Sequence, residues 1–502
     1  MQIPGSIIIL GGGTAGWMAA NSLLHAWGDR CQITLIESDA IPTVGVGEGS
    51  TPYLKHYFKQ LGICEAEWMP ACDATYKAGI SFEGWSEVPG YERYFHPFFS
   101  QLDLKPAEAF FYHANLRRRG HDISANPDDY FVAASMVRLG LAPVSTKPLP
   151  FEVDYGYHFD AGKLASFLAA KAKAQGLRHL IDTVAEVTVD KQGNLASLLT
   201  SRHGALSADF FIDCSGFSGR LIQQALGQTL HSYQEQLFNN AAVAMPTSTP
   251  EQINSQTRSI ALSNGWMWQI PLTSRQGNGY VYSRDFISAD QAETELRQAL
   301  GVDDNANIEA RHLTMKIGRL TQHWYCNCLA VGLSQGFIEP LEATALMLIQ
   351  FTLERFIQAY PQVQNNPSIQ QSYNQQMCDT FDGVRDYIVA HYQLNTRSDS
   401  DYWLACRDNP SRPQILTHLL EAWEQGADFD RALNHYEMVY QKPSWYCIFA
   451  GMGRFPKRLN LTPEALQQQP LVSQAKHWCE RAAQEYFTKH SGQLRQLYGK
   501  LS

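Results

Sequence analysis

The hydrophobic pattern changes period several times along the chain. Residues 6–10 (Ser-Ile-Ile-Ile-Leu) are a continuous apolar run of strand length, which predicts a fully buried strand. After Gly11-Gly12-Gly13-Thr14-Ala15-Gly16, the positions Trp17, Ala20, Leu24 and Trp27 recur at helical spacing. Residues 32–36 are a second short strand, closed by Glu37. Together they make one βαβ unit over residues 6–40. Residues 184–190 and 195–200 read as two strands joined by a turn at Lys191-Gln192-Gly193-Asn194. Further strands are predicted running into Asp213, over 278–283 and over 328–332, and a long apolar helix after Pro340. From about residue 346 the chain reads as mostly helical, rich in Gln and aromatics. No internal repeat or low-complexity tract separates these parts, so they are expected to interleave in one compact body.

Composition narrows the function classes. At ~150 residues per domain, the length of 502 residues predicts about three domains. Such a chain can bury a large core and still enclose a deep pocket. With 44% hydrophobic and 18% charged residues it reads as a soluble globular protein. The net charge of -9 argues against nucleic acid as a partner. No apolar run approaches the ~18 residues of a membrane span. The run Ile7 to Leu10 is too short for a signal peptide and follows no basic residue, so a cytoplasmic protein is expected. None of the ten cysteines forms a CxxC pair, so no zinc site is expected, and reduced, buried thiols are. Cys326 and Cys328 are placed on one face of a strand.

The glycines carry the first chemical signal. Gly11, Gly13 and Gly16 form GxGxxG between a strand and a helix, and Glu37 ends the next strand 21 residues beyond Gly16. Glycines there permit a tight turn and close approach of a pyrophosphate to the helix N-terminus, with Thr14 and Ala15 in the same loop. The carboxylate of Glu37 can accept hydrogen bonds from a ribose. The motif alone fits FAD or NAD. With one GxGxxG and no second nucleotide unit, a nicotinamide has no place, so a flavin would arrive already reduced.

Longer motifs resemble two flavoprotein groups. Asp213-Cys214-Ser215-Gly216-Phe217-Ser218-Gly219-Arg220 resembles the second fingerprint of flavin hydroxylases. Ala330-Val331-Gly332-Leu333 stands where those enzymes carry a Gly-Asp pair, and Leu333 has no carboxylate. Gly265-Trp266-Met267-Trp268-Gln269-Ile270-Pro271 matches the WxWxIP signature of flavin-dependent halogenases, the tryptophan halogenase family, which the chain resembles along nearly its whole length. The resemblance implies an FAD-binding, Rossmann-like α/β fold of the flavin monooxygenase type. It places an FAD core with an interleaved substrate-side sheet over 1–350, with the fingerprint at 208–220, WxWxIP at 266–271 and a halide and flavin segment at 328–346. A mainly helical region over 351–502 would close the substrate pocket.

The resemblance also implies roles. Thr75-Tyr76-Lys77-Ala78-Gly79-Ile80 is similar to the segment of the family's essential lysine, here Lys77. Among apolar neighbours a lysine can have a lowered pKa. It could form a haloamine with hypohalous acid or polarise it through a hydrogen bond. Gly336-Phe337-Ile338-Glu339-Pro340-Leu341-Glu342-Ala343-Thr344 resembles the second active-site segment. In it Glu342 would stabilise a cationic ring intermediate or take its proton, with Glu339 structural. The main-chain N–H groups of Thr344 and Ala345 match the halide site, where many relatives read Glu-Ser-Thr-Gly and this chain Glu-Ala-Thr-Ala. Val46 and Gly47, in the strap from Val44 to Pro52, would contact flavin, as would Val187, Asp213, Gly216, Gly332, Leu333, Gly336 and Phe337. Trp266, Trp268, Ile270 and Pro271 would keep the arene from the flavin. His96, Phe98 and Trp445 would line the substrate site.

The activity implied is halogenation of an electron-rich aromatic, an indole above all, by FADH2, O2 and chloride or bromide. A separate NAD(P)H-dependent flavin reductase would supply FADH2, and a homodimer is a family-level expectation. The stretch from Phe429 to Pro443 holds Tyr436, Glu437 and Tyr440 without the tandem-tyrosine and acidic pattern of tryptophan-specific members. That favours a bare indole, another small arene or a carrier- or peptide-bound substrate over free tryptophan. The competing readings are an FAD monooxygenase that hydroxylates an arene, and a non-catalytic flavoprotein.

Overall fold

The computed structural model describes residues 3–40, 47–303, 307–363 and 366–499. The chain forms two units, each built from three stretches: residues 1–73, 159–234 and 316–382 in one, and 74–158, 235–315 and 383–502 in the other. Among the described residues no helix is long and apolar enough to cross a membrane.

The first unit is built on a parallel sheet. Its order is Cys328–Ala330, Phe210–Asp213, Ser6–Leu10, Gln32–Glu37 and Arg178–Ile181, with Trp324–Tyr325 antiparallel at the edge. The apolar run 6–10 is buried on both sides, as a central parallel strand must be. Ile8 and Leu10 face a cluster with Leu195, Leu198, Phe211 and Leu221. The opposite face meets helices, with Phe356 of Ala345–Val363 5.0 Å from Phe210 and 5.9 Å from Trp27. The predicted hairpin is present as Val184–Val189 and Leu195–Thr200, its turn held by Asp190, which accepts from the amides of Gln192 and Asn194.

Two expectations need correction here. Cys326 lies in a turn with φ 49, where Tyr325 pairs with Cys328, so the two cysteines do not share a strand. The strand predicted over 328–332 ends at Ala330, because Gly332 takes φ 74 and opens a short 3-10 turn. Eight of the ten cysteines are buried, while Cys64 is exposed and Cys326 half-buried.

The second unit centres on a seven-stranded sheet. Its order is Arg311–Thr314, Ala241–Thr247, Gln276–Tyr282, Gly265–Pro271, Thr257–Leu262, Gly79–Glu83 and Arg93–Pro97. All pairs are antiparallel except Thr257–Leu262 with Gly79–Glu83. Alternation divides the WxWxIP strand: Met267 joins Tyr280, Tyr282, Ala292 and Leu296 in one core, so Trp266, Trp268 and Ile270 project from the other face. On the edge strand, Tyr94 stacks on Phe82 at 5.0 Å, and helix Lys442–Gly451 approaches so closely that an added Cβ on Gly451 would lie 2.4 Å from the Tyr94 ring.

Candidate active site

In the first unit three motifs that are far apart in sequence converge. Gly11 takes φ 117, and an added Cβ would lie 2.2 Å from the carbonyl oxygen of Cys214. A Cβ on Gly332 would lie 2.7 Å from that of Ala15. The glycine loop, the 213–220 fingerprint and the 332–337 segment therefore touch. Helix Thr14–Trp27 starts at this junction with Gly13 as its N-cap, without a side-chain cap, and nothing lies within 4 Å of where a Gly13 Cβ would be. Open space over uncapped N–H groups at the N-terminus of a 14-residue helix suits the diphosphate of FAD.

The acidic residues of this unit differ in kind. Glu37 accepts from Nε2 of His179 at 2.7 Å and lies against Gly12, where a Cβ would be 1.6 Å from its carboxylate. Asp213 is fully buried and accepts from the amides of Ser215, Leu221 and Ile222 and the hydroxyl of Ser215, at 2.6–2.9 Å. Burial raises its pKa above the usual carboxylate value. These bonds shape the turn at Gly216. Val187 packs beside the cluster containing Leu221, and Val46 lies outside the described residues.

The 336–345 segment is tightly constrained. Gly336–Phe337 pairs with Gly318–Leu320, and Pro340–Glu342 form a 3-10 turn that ends at Ala343 with φ 55. The apolar helix expected after Pro340 is present as Ala345–Val363, set off from the 3-10 turn by left-handed Ala343. Thr344 and Ala345 consequently stand at the N-terminus of a 19-residue helix, where main-chain N–H groups lack intrahelical acceptors and favour an anion. Thr344 is buried and the side chain of Ala345 is exposed. Glu339 and Glu342 are both buried.

In the second unit Lys77 is fully buried on the strand Thr75–Lys77, which pairs with Gly156–Phe159. Its Nζ lies 5.4 Å from the centroid of Phe98. The Thr75 hydroxyl donates to the carbonyl of Pro271 at 2.7 Å, binding the lysine strand to the end of WxWxIP. Trp266 and Trp268 are buried with ring centroids 6.3 Å apart, and Gly279 makes room for the second of them. His96 is buried, and its Nε2 lies 3.3 Å from the hydroxyl of Tyr387. Tyr387 stacks on Tyr440 at 3.8 Å and meets Trp445 edge-on at 4.9 Å.

His96 and Trp445, both expected at the substrate site, thus meet in one aromatic cluster around Tyr387, a residue outside every motif named above. The only sequence signal for Tyr387 is helical spacing to His391, whose ring it meets at 5.0 Å. Of the three residues singled out in 429–443, Tyr440 alone stacks on Tyr387; Tyr436 packs on His418 and His435, and Glu437 is exposed.

Residues 6–468 match the tryptophan halogenase family. The tryptophan 6-halogenase SttH of Streptomyces toxytricini is 37% identical over 481 residues, 90% of each chain. The tryptophan 7-halogenase RebH of Lentzea aerocolonigenes is 32% identical, over 98% of this chain and 99% of its own. The structure of Xcc4156, a flavin-dependent halogenase from Xanthomonas campestris, superposes with a TM-score of 0.86 at 31% identity, covering 99% of both chains. The chain belongs to the tryptophan halogenase family, and its fold is the FAD-binding, Rossmann-like fold of those enzymes. It is an oxidoreductase that halogenates with FADH2, O2 and a halide, which displaces the hydroxylase and non-catalytic readings.

Proposed function

We propose that this enzyme halogenates an indole ring and that Lys77 carries the halogen to it. One observation carries the reading: a fully buried lysine lies beside Phe98 on a strand tied by Thr75 to the WxWxIP strand. Bound as FADH2 by the glycine loop, the flavin would supply hypohalous acid from O2 and halide. The N–H groups of Thr344 and Ala345 hold the halide at a helix N-terminus. Trp266 and Trp268, bulky and buried, bar an arene from the flavin. The amine of Lys77 either takes the halogen, releasing water, or holds hypohalous acid by a hydrogen bond. The ring carbon attacks the halogen as its bond to the lysine nitrogen or to the hypohalous oxygen breaks. That atom keeps the electron pair and takes a proton to leave as free amine or water, and Glu342 accepts the proton that leaves the ring carbon.

The FAD diphosphate would rest on Gly11, Gly13 and Gly16, with Glu37 toward the ribose. Gly47, Gly216, Gly332, Leu333, Gly336 and Phe337 would line the rest of its site. SttH and RebH are tryptophan halogenases, and the cluster of His96, Tyr387, Tyr440 and Trp445 suits an indole. Because Tyr436 and Glu437 turn elsewhere, bare indole is the better substrate. A separate NAD(P)H-dependent reductase supplies FADH2, and the helices beyond residue 383, which contribute Tyr387 and Trp445, close the arene pocket. The test is mass spectrometry of indole incubated with enzyme, FAD, a flavin reductase and bromide or chloride. A monohalogenated indole is the expected product; a hydroxylated or unchanged indole would contradict the reading.

A further inference from the structure

The strand that presents Lys77 is only three residues long, so its position depends on what holds it. Two histidines and a tyrosine do so. The Thr75 hydroxyl spends its hydrogen on Pro271, so the 3.1 Å contact with Nδ1 of His158 has the histidine donating. Nε2 of His158 then accepts from the hydroxyl of Thr257 at 2.9 Å. On the neighbouring residue, the amide of Tyr76 donates to Nε2 of His490 at 3.3 Å, while Nδ1 of His490 donates to the carbonyl of Ile253 at 2.9 Å. Tyr498 donates from its hydroxyl to the carbonyl of Ala74 at 2.6 Å. Each histidine thus serves as donor on one nitrogen and acceptor on the other, which is the neutral ring. Burial, with Lys77 and His490 nearby, lowers the pKa of His158 well below the usual value, and burial lowers that of His490 to about 4.

His490 and Tyr498 come from the end of the chain, beyond the family match at 6–468. Their segment is itself anchored. Phe487–Lys489 pairs with Leu141–Ser145, the His490 amide donates to the carbonyl of Gly140 at 3.0 Å, and helix His490–Tyr498 follows. Ser255, which accepts from the amide of Ala78 at 2.7 Å, donates from its hydroxyl to Leu141. Residues 74–78, 140–145, 253–257 and 487–498 therefore form one hydrogen-bonded knot around the lysine strand.

We propose that the C-terminal segment 487–498 is a positioning element for Lys77: His490 and Tyr498 grip the main chain of Tyr76 and Ala74 and so set where the amine meets halogen and arene. The inference rests on the reading of Lys77 given above. His490 and Tyr498 are positioning residues and take no part in the bond changes. Because the grip acts on geometry at the reacting atoms, loosening it should lower product formed per FADH2 consumed while leaving the KM for indole unchanged. Displacing a reacting group by about 1 Å can cost about a hundredfold, so a loosened strand should cost about tenfold.

The test uses the full-length enzyme with FAD, a flavin reductase, bromide and indole. It compares His490→Leu, which fills the site without an acceptor, with His490→Gln, whose amide oxygen can still accept from Tyr76, and with Tyr498→Phe. Bromoindole per FADH2, KM for indole and melting temperature are read for each. The expected result is about a tenfold drop in bromoindole per FADH2 for His490→Leu, at unchanged KM, with His490→Gln within about threefold of wild type. If His490→Leu does not fold, Tyr498→Phe carries the test, with a lowered ratio expected. Wild-type ratios in the folded variants, or equal losses in His490→Leu and His490→Gln, would overturn the inference. Lys77→Met separates the two readings. Bromoindole from that variant would overturn the role of the lysine; an inactive Lys77→Met beside a fully coupled His490→Leu would overturn only the role of the C-terminal segment.

Discussion

Gly279→Ala should unseat the second tryptophan of WxWxIP without touching any group proposed to react. Gly279 stands opposite Trp268 in the antiparallel ladder. An added Cβ would lie 2.1 Å from Cη2 and Cζ2 of the indole and 2.7 Å from Cε2. Ordinary contact begins near 3.4 Å, so the ring must retreat by more than 1 Å in a site where Trp268 is 6% exposed. Overpacking of this kind costs about 1–3 kcal/mol. For a large domain each kcal/mol lowers Tm by about 2–4 °C, so a fall of about 2–12 °C is expected by calorimetry. If Trp268 keeps the arene from the flavin, its displacement should also cut halogenated product per FADH2 by about tenfold. Adding Trp268→Phe, whose smaller ring relieves the clash, should recover stability, so the two changes would be non-additive by about 1 kcal/mol or more. A Gly279→Ala enzyme with wild-type Tm and wild-type yield would refute the reasoning, as would strict additivity in the double variant.

Further outcomes follow from the same geometry. Glu342→Gln keeps shape but loses charge and should lower kcat by about 10²-fold in a steady-state halogenation assay; an unchanged rate, with a large loss in Glu339→Gln, would move the role to Glu339. In competition on an equimolar mixture, indole should be halogenated ahead of tryptophan, chiefly through a higher KM for tryptophan, whose charged groups cost several kcal/mol to bury without partners; preferential turnover of tryptophan would reveal a clamp for the amino acid. His490 binds its proton less readily in the folded chain, at about pH 4 against a usual 6.5, so the unfolded state takes up more protons as pH falls through that window. The stability advantage of wild type over His490→Gln in urea unfolding should be full above pH 6.5 and shrink by about 3 kcal/mol toward pH 4; a pH-independent difference would contradict a neutral His490.

Local motifs were legible in the sequence because their chemistry depends on short spacing. Periodicity and turn residues place the βαβ unit within about thirty residues, whereas the WxWxIP, Lys77 and Glu342 segments, each about ten residues long, are marked by their resemblance to motifs of the family. What could not be read depends on contacts across long separations. Tyr387 reaches His96 over 291 positions and His490 reaches Tyr76 over 414. No local pattern distinguishes either from an ordinary aromatic of a helix or a core histidine. Backbone sign was also hidden: Cys326 and Ala343 adopt positive φ, which residue type does not announce for Cys or Ala. The positive angle at Cys326 takes it out of its predicted strand, and that at Ala343 sets the 3-10 turn at Pro340 apart from the apolar helix that follows.

The central claim is that Lys77 carries the halogen from where it is made to the ring. It is tested most directly by one turnover of FADH2 in the Lys77→Ala enzyme with O2, bromide and indole, followed by mass spectrometry of the indole and by a dye that traps free hypohalous acid. The account predicts that FADH2 is oxidised and the dye is brominated while the indole mass stays unchanged. Bromoindole formed by Lys77→Ala at the wild-type yield would contradict it.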